Sequence, residues 1–350
     1  MIKFFRILGI ILLIPVAVFL FLILYATFTD YRPEKAELLK PEEQVKPEIT
    51  DSSVFELLIW NLGYAGLDRN MDFFYDGGKQ VRTSEEQVKT NFSAIKSYLA
   101  DQDSVEIIML QEIDVKSKRS YHMNQVMNLA DEIKEYEHYF GKNYDVFFVP
   151  VPPGDPMGSV NSGLLSLTKF EPGVVERYSF PGQYAWPKRL FMLDRCFLVM
   201  RFPVSNGKQL VVINTHNEAY DDGSIRDTQM KYLKDFLLSE FEKGNYIIAG
   251  GDWNQCPPHF EQQFNGEVFD SINNKGIDPD YLPGDWHWAY DNSIPTNRRV
   301  DITYTKGTTK TTVIDFYLLS PNMKMLSVKA SDLKFEHSDH HPVFLKVALD

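Results

Sequence analysis

Cysteine is scarce in this chain. Cys196 and Cys256 are the only two, too few for a disulfide framework or a zinc–thiolate site, and they read as buried thiols. Positive charge is also short. Lys and Arg total 36 against 48 Asp and Glu, leaving a formal net charge of −12. A protein that holds duplex nucleic acid through phosphate neutralisation presents a basic surface, so tight non-specific nucleic-acid binding is not expected. No short-period repeat is visible, which sets solenoids aside. The disordered composition is absent too: 44% hydrophobic and 14% aromatic residues suffice for a packed core. At 350 residues, one large domain or two small ones are allowed, and a monomer is expected.

One long apolar run stands out. Ile7 to Phe28 is almost unbroken, and roughly 22 residues are long enough for a hydrocarbon core. A secretory h-region is shorter and ends in a small-residue cleavage site, which this stretch lacks. Residues 1–28 therefore read as an uncleaved signal-anchor helix, in which Pro15 is tolerable. Lys3 and Arg6 precede it, so the positive-inside bias places the N-terminus in the cytoplasm and the remaining chain outside it. Residues 29–53, polar and punctuated by Pro33, Pro41 and Pro47, read as an extended tether. A globular domain is expected over 54–350.

Within it, strands and helices alternate. Val54–Trp60, Val105–Leu110, Tyr144–Val151, Gly163–Leu167, Tyr246–Ala249, Val313–Leu319 and Val343–Val347 have strand character. Ser84 with Gln87 opens a helix carrying Val88, Phe92, Ile95 and Leu99 at helical spacing. Further helices are expected between Met123 and Tyr139 and over Ser224–Phe241, the latter stopping at Gly244. Cys196–Val204 and Gln209–Asn214 flank Ser205-Asn206-Gly207-Lys208, a hairpin signal. Hairpins mixed with strand–helix–strand units exclude a purely parallel doubly wound sheet and point to an α/β domain of two packed sheets with helices outside.

Polar residues sit just where apolar runs stop: Asn61, Glu112, His216, Asp252 with Asn254, and Asp339 with His340. Singly each has a bland explanation in a turn, a cap or a core histidine. In Y-I-I-A-G-G-D-W-N, alternation would aim Asp252 and Asn254 the same way. Glu112 and Asp339 are hard oxygen ligands and Asn61 a neutral one, a set that suits Mg²⁺ or Mn²⁺ rather than zinc. Two histidines with carboxylates to orient them suit phosphate-ester chemistry.

The segments L-I-W-N, M-L-Q-E, I-N-T-H, G-G-D-W-N, I-D-F-Y-L-L-S and H-S-D-H-H-P resemble, in order, the motifs of the endonuclease/exonuclease/phosphatase superfamily, the deoxyribonuclease I-like metal-dependent phosphoesterases. The resemblance implies a four-layer α/β/β/α sandwich of two mixed sheets with a site across the strand ends. It implies Glu112 as main metal ligand with Asn61 and Asp339, and Asp252 and Asn254 holding the attacking water. His340 would be general base or phosphate donor, oriented by Asp315, and His216 would donate to a non-bridging phosphate oxygen. His341 is the alternative to His340, and Asp301 to Asp315. D-F-F-Y-D-G-G-K (Asp72–Lys79) and K-R-S-Y-H-M-N-Q (Lys118–Gln125) also resemble a membrane-anchored bacterial branch of this superfamily. On that basis Arg119 and Tyr121 reach substrate phosphate or sit in a plain surface loop. Asn161, in N-S-G, is a candidate substrate contact. Arg226 is another, or an ion pair with Asp222 or another acid. The aromatic stretch Tyr281–Tyr290 reads as packed interior rather than a substrate-facing lip.

The implied activity is that of a membrane-anchored, Mg²⁺- or Mn²⁺-dependent phosphoesterase acting on a phospholipid headgroup or small phosphorylated molecule. An extracytoplasmic nuclease and a non-catalytic binding module on the same fold are the alternatives.

Overall fold

The computed structural model describes residues 2–261, 266–269 and 276–349, with side chains from residue 13 onward. The apolar run forms α1 (Ile2–Thr29), with Pro15 inside it. The side chains of residues 7–12 of that run lie outside the described part, and among the described residues no helix is long and apolar enough to cross a membrane.

Along the first half of the chain come β1 (Ala36–Lys40), β2 (Val54–Asn61), α2 (Glu85–Ala100), β3 (Ile107–Asp114), α3 (Gln125–Glu132), β4 (Glu137–Val149) and β5 (Gly158–Thr168). Next are β6 (Val174–Ser179), β7 (Cys196–Pro203), β8 (Gln209–His216), α4 (Ser224–Glu242) and β9 (Tyr246–Asp252). The last part adds β10 (Val268–Phe269), β11 (His287–Ala289), β12 (Asn297–Arg298), β13 (Lys310–Thr312), β14 (Asp315–Leu319), β15 (Met323–Ala330) and β16 (Val343–Leu349). They make a seven-stranded sheet, β1-β6-β7-β8-β9-β14-β11, a six-stranded sheet, β15-β16-β2-β3-β5-β4, and a small one, β10-β13-β12. Both large sheets are mixed: β2 with β3 and β8 with β9 are parallel, the remaining pairs antiparallel.

Alternation along single strands builds the layers. Leu57 and Ile59 of β2 face one way, into a core shared with Val212, Ile248 and Leu345 between the two sheets. Leu58 and Trp60 face the other way, onto Val88, Phe92 and Ile95 of α2 and Leu129 of α3. On the seven-stranded sheet, Ile247 and Ala249 meet Leu233 and Leu237 of α4. One apolar strand thus serves two interfaces, which is why these strands read as unbroken hydrophobic runs. The order of layers is helix, sheet, sheet, helix.

Local signals act where the sequence places them. The Ser84 hydroxyl accepts the Gln87 backbone N–H at 3.1 Å and starts α2. Gly207, at φ +83°, closes the β7–β8 hairpin. Two findings differ from the sequence reading. Part of the segment read as a tether is structured: β1 pairs with β6 at the edge of the larger sheet, and Ile49 is buried in the inter-sheet core. β4 begins at Glu137 rather than at Tyr144, while α3 falls within the stretch expected to hold a helix. The aromatic stretch is packed as read, with Tyr281, Leu282 and Trp286 buried in the core and β11 added as an edge strand on β14.

Candidate active site

Both sheets deliver polar side chains to one rim. Asn61 ends β2, Glu112 lies near the end of β3, His216 ends β8 and Asp252 ends β9. Asp315 begins β14, but β14 runs antiparallel to β9, so Asp315 stands in register beside Asp252. Glycine permits the approach: a Cβ on Gly251 would lie 2.0 Å from the Thr215 carbonyl oxygen, and one on Gly250 would lie 2.6 Å from the Tyr317 ring. Glu112 and Asn254 take positive φ, 52° and 51°, a conformation disfavoured for side-chain-bearing residues and common at functional sites. At Glu112 the β3–β5 register slips, re-aiming the carboxylate into the cleft. The left-handed turn at Asn254 breaks the expected alternation. Its Nδ2 donates to the Asn217 carbonyl at 2.9 Å, while its backbone N–H donates to Asp252 Oδ1 at 2.9 Å.

The side chains converge on a cleft of about 670 Å³. Asp252 Oδ2 lies 3.4 Å from His216 Nε2 and 3.8 Å from His340 Nε2, and accepts from Asn61 Nδ2 at 3.0 Å. His340 Nδ1 meets Asp315 Oδ2 at 2.8 Å. Burial opposes charge on the His340 ring, yet Asp315, Asp339 and Asp252 outweigh it and raise the pKa to about 10. Asn297 Nδ2 stands 2.9 Å from His340 Nε2, so a charged ring carrying Nε2–H requires that amide reversed to offer its oxygen. His216 goes the other way: burial, then the positive charges of Arg195 and His340, push it well below the ordinary histidine value. Burial, reinforced by Asp315, raises the Asp252 carboxyl to about 6.

The neighbouring candidates separate cleanly. His341 donates from Nδ1 to the Pro295 carbonyl at 2.7 Å, accepts the Phe335 N–H at Nε2, and stacks on the Phe335 ring. Both nitrogens are used, so it is a core residue. Asp301 pairs with Arg299 away from either histidine. Tyr121 does not enter the cleft; its hydroxyl donates to the Thr83 carbonyl at 2.7 Å. Arg119 lines the cleft, but its guanidinium is held by Asp114 at 3.0 and 3.2 Å over the Tyr64 ring. Asn161 is displaced by alternation: the adjacent Ser162 faces the cleft, and the Asn161 carbonyl accepts from Val115 and Ser117. Arg226 lines the cleft while pairing with Asp221 at 3.3 Å, not with Asp222.

Among the cleft residues that escaped the sequence reading is Arg195. Arg195 is buried, and among the described residues its Nε and Nη1 have no hydrogen-bond partner and its one ion-pair contact is Glu218, at 3.7 Å. It precedes β7, whose start lies beside the end of β8 because the two are antiparallel. Searching strand starts as well as strand ends would have found it.

The oxygen donors fit a hard divalent cation. Asp339 Oδ1 is buried without a hydrogen bond. Burial lifts its carboxyl to about 7, with the His340 charge opposing and Glu112 adding repulsion. Two close carboxylates with an unsatisfied oxygen suit Mg²⁺ or Mn²⁺. Asp252, Asp315 and His340 also cluster, with ligand atoms within 4.8 Å of one another. There, however, His340 Nδ1 and Asp315 Oδ2 already satisfy each other, so Glu112 and Asp339 are the better pair. Asn61 turns Nδ2 to Glu112 and Asp252 and Oδ1 to the Gly63 N–H, so acting as a ligand would require its amide reversed.

No family model matches the chain, and no curated protein matches it. Solved structures do. An endonuclease/exonuclease/phosphatase from Bacteroides vulgatus aligns with TM-score 0.54 at 15% identity, over 85% of this chain and 100% of that one. One from Beutenbergia cavernae has TM-score 0.54 at 15% identity, over 85% and 72%. ANGEL2, described as a 2′,3′-cyclic phosphatase, has TM-score 0.55 at 16% identity, over 88% and 99%.

Proposed function

From the endonuclease/exonuclease/phosphatase fold that this chain has, we propose a metal-dependent hydrolase of phosphoester bonds. The observation that carries it is the convergence on Asp252, between a neutral histidine on one side and a charged His340–Asp315 pair on the other. A carboxylate with pKa near 6 is mostly ionised at neutral pH and is basic enough to take a proton from water. Asn254 and Asn61 fix its position. His340, charged and oriented by Asp315, donates Nε2–H to a phosphoryl oxygen and stabilises the charge that develops there. His216, neutral, offers a second contact beside it. Glu112 and Asp339 would hold Mg²⁺ or Mn²⁺, which supplies positive charge against the phosphoryl and leaving oxygens.

The substrate reading is a phospholipid headgroup or small phosphorylated molecule. A net charge of −12 weighs against a nucleic-acid polymer. The apolar N-terminal run and Lys3 and Arg6 before it support a membrane anchor with the N-terminus in the cytoplasm and the catalytic domain outside it. The test is hydrolysis by full-length protein with added Mg²⁺ or Mn²⁺ on a panel of phospholipids, inositol phosphates, nucleotides and oligonucleotides. Cleavage of one ester class that is lost in Asp252→Asn is expected. Absence of cleavage throughout would defeat the proposal, and cleavage of oligonucleotides alone would turn it to a nuclease.

A further inference from the structure

The cleft and the foot of α1 share a wall. Ile23 and Ala26 are buried against Leu190, with Phe191 packed beside them, and Phe191 also lines the cleft along with Lys188, Met192 and Leu193. Above that foot α1 exposes apolar side chains all round: Leu13 is 66% exposed, Phe19 60%, Leu20 55% and Phe21 66%. A helix apolar on every face needs an apolar surrounding. Around its foot the domain adds more. Phe147 is 44% exposed and meets the Tyr25 ring edge-on at 4.9 Å. Trp186, 57% exposed, donates its indole N–H to Thr27 Oγ1 at 3.2 Å. An aromatic ring with its polar end satisfied and its face open is the arrangement that settles at a membrane–water boundary. Charges nearby are of both signs, Arg189 and Arg32 with Asp30 and Asp194 beside the foot and Lys188 at the cleft wall. That mixture matches zwitterionic headgroups better than an anionic surface.

We infer that the rim carrying Phe147, Trp186 and Phe191 rests in the headgroup layer of the leaflet that α1 enters, and that the cleft takes zwitterionic phospholipids from that same leaflet. The hydrolysis this serves rests on the phosphoesterase reading above; the docking does not. A site fixed beside its own anchor meets a lipid at high local concentration and needs no partner to deliver it.

Five tryptophans make this measurable: Trp60, Trp253 and Trp286 are buried, Trp288 is half-buried, and Trp186 alone is largely exposed. Full-length protein is placed in nanodiscs of phosphatidylcholine and phosphatidylethanolamine containing lipids brominated high on the acyl chain. Bromine should quench the emission contributed by Trp186, and Trp186→Phe should abolish that quench. Equal quenching in the two proteins, or none, overturns the docking. In the same discs Phe147→Glu with Trp186→Glu should slow hydrolysis of bilayer lipid by about tenfold and leave a water-soluble phosphoester unaffected. Equal loss on both substrates, or hydrolysis of the soluble ester only, overturns the lipid assignment. A wild-type protein that cleaves neither ester sinks the phosphoesterase reading, and the quench still decides the docking.

Discussion

Two arginines at opposite ends of β7 show what the molecule does with buried charge. Arg201, at the far end, is fully engaged. It donates to both Glu240 oxygens at 2.9 and 3.1 Å and to Glu176 at 3.0 Å, while Lys243 and Asn245 complete the Glu240 shell. Arg195, at the cleft end, is buried with two guanidinium nitrogens unbonded. The cleft also holds unsatisfied atoms of Asp315, Asp339 and His216. A closed network stabilises the fold, whereas burying groups without protein partners costs folding energy that an ordered water or a ligand returns. The far end of β7 sits in a closed network, and the residue before its cleft end is left open.

Breaking the cleft end should affect rate first. Asp252→Asn and His340→Ala should each lower kcat by roughly a thousandfold or more. Asp252→Asn should keep a thermal midpoint near that of the wild type, whereas His340→Ala, which strands the buried Asp315 carboxylate, should lower it. Steady-state assays alongside calorimetry would check this, and near-normal rates in both would dismantle the assignment. Breaking the far end should do the opposite. Glu240→Gln leaves the half-buried Arg201 with a weakened partner and should cost about 2 kcal/mol, with kcat unchanged.

That pair also carries a pH signature. Burial opposes the Glu240 carboxylate, but Arg201, Lys243 and Asn245 hold its pKa at about 2, below the ordinary 4.5. A depressed folded pKa contributes stability in full above about pH 4.5 and loses it as pH falls toward 2. Denaturant titrations across that window should show a slope in the wild type that Glu240→Gln lacks.

Smaller effects sharpen the contrast. Arg195→Met removes a charge that makes no hydrogen bond from Nε or Nη1, so stability should hold or rise while KM increases by about tenfold. A stability loss like that of Glu240→Gln would put Arg195 in the structural class. The smallest change is expected from Tyr121→Phe, which deletes one hydrogen bond to Thr83 and should cost about 1 kcal/mol with unaltered kinetics.

Much of the site was legible because buried strands announce their own ends. Asn61, Glu112, His216 and Asp252 each follow an apolar run, and parallel pairing brings such ends together. Arg195 was not legible, since a residue before an antiparallel strand reaches the same rim from the opposite direction in sequence. Asn161 and Ser162 differ by one position, and only the pairing register decides which faces the cleft. Only the resemblance of S-D-H-H-P to a family motif favours His340 over His341, not any physical difference visible in the sequence. Asp315 and Pro295, distant in the chain, give one a charged partner and the other a neutral one. Burial lowers His341 to about 4 against a smaller opposing effect of the Pro295 carbonyl, whereas the acids around His340, Asp315 foremost, override burial and lift it to about 10.

The amino-acid order alone determined the alternation of strands and helices, the hairpin at Gly207, the apolar N-terminal run and the residue types available for phosphate chemistry. These follow from local periodicity and turn preference, which act over a few residues. Tertiary structure decided which carboxylates are charged, which arginine stays open, that residues 36–40 join a sheet, and that the cleft stands beside the foot of α1. Those outcomes depend on burial and on neighbours brought from far along the chain.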